Sequence, residues 1–153
     1  MRPGDEPFMR RAVELALRTE AEGNLPIAAV LVLDGRVVAE GPNRTQKPLE
    51  HPGRHAEVAA LAALPHELIP RLAQMTCYTT LEPCVMCFGA LVQHKVGRVV
   101  FGAADTLGGA SGMREHLPMA VKAETAASTW EGPAWPEACD PLFERAAARY
   151  WKR

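Results

Sequence analysis

The stretch Met75-Thr76-Cys77-Tyr78-Thr79-Thr80-Leu81-Glu82-Pro83-Cys84-Val85-Met86-Cys87-Phe88-Gly89-Ala90-Leu91-Val92-Gln93-His94-Lys95-Val96-Gly97-Arg98-Val99-Val100-Phe101-Gly102 carries the fold. Met75 to Thr80 is rich in Thr and apolar residues and reads as a strand. Pro83 then opens a helix over Cys84 to Gln93, and Val96 to Gly102 reads as a second strand. Strand, helix and strand with short joints predict a parallel pair with a crossover helix.

Working outward, His55 to Leu64 reads as a helix stopped by Pro65, and a short helix is expected over Leu68 to Ala73. Upstream, Ile27 to Leu33 and Arg36 to Ala39 flank Asp34-Gly35, a strong hairpin signal. Gly41 to Arg54 is polar, contains three prolines and is expected to be a loop of functional length. The first helix begins with Asp5 as its expected cap and ends at Gly23. Phe8, Ala12, Leu15, Ala16 and Thr19 make its apolar stripe. A last strand is expected near Ala126 to Trp130. Asp140-Pro141 reads as the cap and first position of a final helix, with Leu142, Phe143, Ala146, Ala147, Tyr150 and Trp151 on one face. The pattern is α/β: a largely parallel sheet with one antiparallel edge from the hairpin.

The chain has 153 residues, the size of one domain. Its 48% hydrophobic and 23% charged residues exclude disordered, collagen-like and coiled-coil classes. With 17 basic and 18 acidic residues, the net charge of −1 demands neither nucleic acid nor an anionic membrane, though a local patch can still serve. The seven residues from Ile27 to Leu33 are too few to cross a bilayer, and no apolar leader opens the sequence, so the expected compartment is the cytoplasm. There, four cysteines point to thiols or metal ligands rather than disulfides.

The chemistry lies in His55-Ala56-Glu57 and Pro83-Cys84-Val85-Met86-Cys87. Cys84 and Cys87 share one face of a helix at its first turn, where the dipole favours thiolate. His55 and Glu57, two apart, diverge by about 200° on a regular helix. They converge only on a site beyond the helix end, so two helix N-termini aimed at one point are expected. Two thiolates and a neutral imidazole balance Zn²⁺, and three ligands leave a fourth position open, the mark of a catalytic zinc. Zinc brings the pKa of water in that position to about 7, and Glu57 is placed to shuttle the proton. The order H-x-E then P-C-x-x-C is the signature of zinc base deaminases. Cys77 and Cys139 are expected to be packed thiols, and His51, His66, His94 and His116 ordinary histidines.

These motifs, with Gly97-Arg98-Val99-Val100-Phe101-Gly102-Ala103 and Gly41-Pro42-Asn43-Arg44, resemble the cytidine deaminase-like superfamily. Within it, the chain is similar to bacterial tRNA-specific adenosine deaminases and to guanine and cytosine deaminases. The resemblance implies one domain over residues 1–153, a three-layer α/β/α sandwich around a five-stranded mixed sheet. It also implies a homodimer with one Zn²⁺ per subunit, held by His55, Cys84 and Cys87, with Glu57 as proton shuttle and Asn43 contacting the base.

Departures from the family pattern bear on the substrate. Ala28 stands where relatives usually have Gly, and Arg54 adjoins a zinc ligand within an altered His51-Pro52-Gly53-Arg54 run. Glu82 and Asp105 are further candidate substrate-side residues, and Tyr150 and Trp151 a candidate lid. Asp105 lacks the basic neighbours of the tRNA enzymes, and the chain has no long basic C-terminal helix. Phosphate contacts supply much of nucleic-acid affinity. The expected substrate is therefore a small nucleobase or nucleoside such as guanine, cytosine or a related aminopurine. The alternative is wobble adenosine of tRNA, and a third reading is a non-catalytic zinc-binding dimerisation module.

Overall fold

The computed structural model describes residues 1–150. Its strands are β1 (Ala28–Leu33), β2 (Arg36–Pro42), β3 (Thr76–Leu81), β4 (Arg98–Ala103) and β5 (Thr129–Glu131). Its helices are α1 (Glu6–Ala21), α2 (Ala56–Ala62), α3 (Val85–Gln93), α4 (Met119–Glu124) and α5 (Pro136–Tyr150). Two 3₁₀ segments cover His66–Gln74 and Ser111–His116. The sheet order is β2-β1-β3-β4-β5. β1 runs antiparallel to β2 and β3, while β3, β4 and β5 are mutually parallel, as the pattern predicts.

β1 is buried at every position because helices cover both faces of the sheet. Ala29, Leu31 and Leu33 face Ala56, Ala60 and Leu91 of α2 and α3. Val30 and Val32 face Met9 and Ala12 of α1 and Cys139 of α5. The Asp34-Gly35 turn has φ of 50° and 73°, the left-handed pair a two-residue hairpin requires. β2 extends to Pro42, further than its polar sequence suggests. Gly41 makes this possible: a Cβ there would overlap Ala56 O and Ala60 N of α2. Strand and helix therefore touch backbone to backbone.

Two end-cap expectations are corrected. Asp5 has helical φ/ψ of −74° and −32° and makes no side-chain capping bond. Its carboxylate instead accepts from Arg98 Nη1 at 2.7 Å and from Tyr78 Oη at 2.7 Å. An ionised acceptor beside a nearly buried guanidinium is a stronger partnership than a cap. α5 begins at Pro136, not at Asp140-Pro141, and Pro141 lies inside it. The earlier turn forms because Cys139 packs fully buried against Gly102 of β4, which outweighs one lost backbone bond.

Candidate metal and active site

His55 is the N-cap of α2, with extended φ/ψ of −72° and 158°. Cys84 is the N-cap of α3, at −69° and 174°. Both ligands thus sit just outside their helices, and two helix N-termini meet, as the spacing argument requires. Cys87, one turn into α3, is buried. The ligand atoms of His55, Cys84 and Cys87 all lie within 4.8 Å of one another.

Cys84 Sγ is 3.5 Å from His55 Nδ1. Zinc bonds of about 2.3 Å to sulfur and 2.0–2.1 Å to nitrogen at a tetrahedral angle place S and N about 3.6 Å apart. The donor set therefore fits zinc in both chemistry and spacing. Without metal, the Cys87 thiol hydrogen-bonds Cys84 and pulls the Cys84 pKa down to about 3, with His55 adding to the effect. The same bond, joined by burial, holds Cys87 up. The Cys84 thiolate favours the imidazolium form of His55 and raises its pKa.

Glu57 enters from the first turn of α2 and is 3% exposed. Its Oε1 accepts from Thr79 Oγ1 of β3 at 2.8 Å. Burial raises its pKa, so proton uptake is favoured relative to a surface glutamate.

A cavity of about 320 Å³ opens above these groups. Asn43, Glu82 and Asp105 line it together with His55, Glu57 and Cys84. Asn43 is 1% exposed, and its Oδ1 accepts from both Thr45 N and Thr45 Oγ1, at 3.1 and 2.9 Å. With the carbonyl so engaged, the amide Nδ2 is the group offered to a ligand. Ala28 does not line the cavity: it is fully buried in a cluster with Leu15, Ala16 and Leu142, and its neighbour Ile27 takes the wall position. Arg54 does not line it either; it is exposed beside His55, and its backbone carbonyl accepts from Arg44 N.

Tyr150 lines the cavity with Phe143, Ala146 and Ala147 of α5. Trp151, the other half of the expected lid, lies outside the described residues. Sequence reasoning missed Leu25, Ile27 and Thr45 as wall residues. Thr45 carried a usable signal, being two residues beyond Asn43, where a hydroxyl can meet an Asn carbonyl. Cys77 and Cys139 are both fully buried, as expected.

Residues 3–103 match the model of the cytidine and deoxycytidylate deaminase zinc-binding region. The chain belongs to this family. A tRNA-specific adenosine deaminase of Haemophilus influenzae is 45% identical over 115 residues, 74% of this chain and 66% of the relative. A tRNA-specific adenosine deaminase of Bacillus subtilis is 41% identical over 114 residues, 74% of this chain and 70% of the relative. The chain thus spans about two thirds of the length of these curated relatives. A solved structure from work on A-to-I editing by tRNA:A34 deaminases at the wobble position superposes with a TM-score of 0.74 at 36% identity. That likeness covers 88% of this chain and 98% of the other.

These relatives overturn the expectation of a free nucleobase or nucleoside as substrate. The expectation rested on the altered His51-Pro52-Gly53-Arg54 run, on Asp105 without basic neighbours and on the want of a long basic C-terminal helix, features that do not outweigh 45% identity.

Proposed function

We propose that this family member is a hydrolytic deaminase that converts adenosine at the wobble position of tRNA to inosine, releasing ammonia. The observation that carries the reading is the convergence of His55, Cys84 and Cys87 beside a cavity that His55, Cys84 and buried Glu57 line. It occurs in a chain 45% identical to a tRNA-specific adenosine deaminase.

His55, Cys84 and Cys87 would hold Zn²⁺, which when bound would bring the pKa of a water in its open position to about 7. Glu57 would take the proton that the attacking water loses and pass it to a ring nitrogen, then take the proton of the newly formed hydroxyl and pass it to the amine, so that ammonia leaves as the ring carbonyl forms. Its buried carboxyl, held by Thr79, is suited to both duties. Asn43 donates its Nδ2 hydrogen to a ring acceptor and fixes the base in its plane. The positive end of the α3 dipole would stabilise negative charge that develops on the base. At about 320 Å³ the cavity is at the small end of ligand pockets, about 300–1,000 Å³, which suits one base drawn out of its stack.

Arg54 supplies a cation for the phosphate backbone at the rim. The reading includes a homodimer, for which exposed Val85 and Met86 on α3 offer apolar surface. Among the described residues no helix is long and apolar enough to cross a membrane.

The test is inosine formation in an anticodon stem-loop with adenosine at the wobble position, run beside free adenosine, guanine and cytosine. Turnover of the stem-loop alone is expected. Turnover of a free base with the stem-loop untouched would sink the proposal.

A further inference from the structure

Glu82 precedes the Pro83-Cys84 corner, and both its carboxylate oxygens are engaged by protein. Oε1 accepts from Ser111 N at 3.1 Å and from Ser111 Oγ at 2.5 Å. Oε2 accepts from Asp105 N at 3.2 Å. The segment from Asp105 to Ser111 is therefore held at both ends by one side chain. Between those ends it is a self-contained turn: Asp105 Oδ1 accepts from Leu107 N and Gly108 N, both at 2.9 Å. Gly109 pairs with Cys84 as an isolated β-bridge, and Ala110 N donates to Pro83 O. A Cβ at Gly109 would strike the Glu82 carboxylate, so the close approach requires glycine there.

This segment is one wall of the cavity, through Asp105, Leu107 and Gly108. Its outer residues are exposed, and no regular strand or helix supports them between Asp105 and Ala110. The wall thus owes its position to Glu82 and to the corner that presents the metal ligand Cys84.

We propose that Glu82 is a positioning residue for substrate binding, which fixes the Asp105–Ser111 wall against the Cys84 corner without itself touching the base. The inference rests on the proposed substrate and deepens that reading. A carboxylate is required because three donors converge on it. Glutamine presents an amide N–H to one of them and must release one end of the segment.

The experiment compares the zinc-loaded wild-type chain with Glu82→Gln and with Ser111→Ala. It measures stem-loop deamination kinetics, zinc content and amide hydrogen exchange. For Glu82→Gln, KM for the stem-loop rises at least tenfold, kcat stays within threefold and zinc remains at one per chain. The Asp105 and Ser111 amides exchange at least tenfold faster while β3 amides are unchanged. Ser111→Ala removes only the hydroxyl contact and shifts KM by less. Unchanged KM and unchanged exchange in Glu82→Gln would overturn the proposal. So would loss of zinc, or a fall in kcat at constant KM, because either places Glu82 in the metal site or the chemistry. If the wild-type chain leaves the stem-loop untouched, the substrate reading fails, and the exchange comparison still decides whether Glu82 holds the wall.

Discussion

Thr79 Oγ1 on β3 donates a 2.8 Å hydrogen bond to Glu57 Oε1 on α2. The bond crosses from the sheet to the helix that carries the metal ligand His55. With a hydrogen bond from Cys87 it fixes which way a fully enclosed carboxylate faces. Glu57→Ala is expected to lower kcat by roughly three orders of magnitude, within the range for a lost general acid/base. Zinc content should stay at one per chain. Thr79→Val keeps the carboxylate but frees its rotation, and kcat should fall about tenfold, the scale of one hydrogen bond to a charged group. Near wild-type turnover in Glu57→Ala would refute the shuttle role.

The three-ligand assignment is checked by metal content. Cys87→Ala should purify without zinc, since two ligands seldom hold a catalytic ion. Cys77→Ala, which alters a fully buried thiol outside the ligand set, should retain a full load. Because the ligands bind in their deprotonated forms, loading should also weaken as the pH is lowered. Metal analysis of the two variants separates ligand from packed thiol.

Arg54 is exposed beside His55, and the proposed function gives it a phosphate partner. Arg54→Ala should weaken stem-loop binding and reduce the slope of log affinity against log salt by about 0.7, one phosphate contact on single-stranded RNA. Turnover of bound RNA should change little. A salt slope equal to that of the wild-type chain would remove Arg54 from the interface.

Asp5 and Arg98 form a nearly buried ion pair, 2.7 Å from Oδ1 to Nη1, with Glu131 on the other side of the guanidinium. Burial pushes the Asp5 carboxyl up, but hydrogen bonds from Arg98 and Tyr78 outweigh it and hold the pKa well below the ordinary carboxylate range. A group whose folded pKa lies below its unfolded value stabilises the fold fully above that unfolded value. It loses the contribution as the pH falls toward the folded pKa. Asp5→Asn should therefore cost about 3 kcal/mol at pH 7, the scale for breaking a buried pair. The gap from wild type should narrow as the pH drops below about 4. Denaturant melts at several pH values give both numbers. A gap that stays constant down to pH 2 would contradict the pair's role.

The crossover from β3 through α3 to β4, the hairpin at Asp34-Gly35 and the Cys84/Cys87 pair were legible because each is local. A strand period, a left-handed turn pair and an i, i+3 thiol pair are all written within a few residues. Asp5 was misread for the opposite reason. Its partners Tyr78 and Arg98 are 73 and 93 residues away, and nothing near Asp5 announces them. The start of α5 was hidden in the same way, since what draws Cys139 into a helix is Gly102 on a distant strand. Substrate was the least legible feature. The altered run around Arg54 and the lack of basic residues beside Asp105 point to a small base, while the similar relatives are tRNA-specific adenosine deaminases.

The placement of both helix caps at one point has a consequence for folding. His55 and Cys84 are 29 residues apart, and the chain between them includes α2 and β3. An ion shared by these two residues cross-links the chain as a disulfide would. Closing a loop of that length removes disorder from the unfolded chain worth about 3.6 kcal/mol. The metal that equips the site for chemistry is thus also a staple, and stripping it should lower the melting temperature of the sheet as well as abolish turnover.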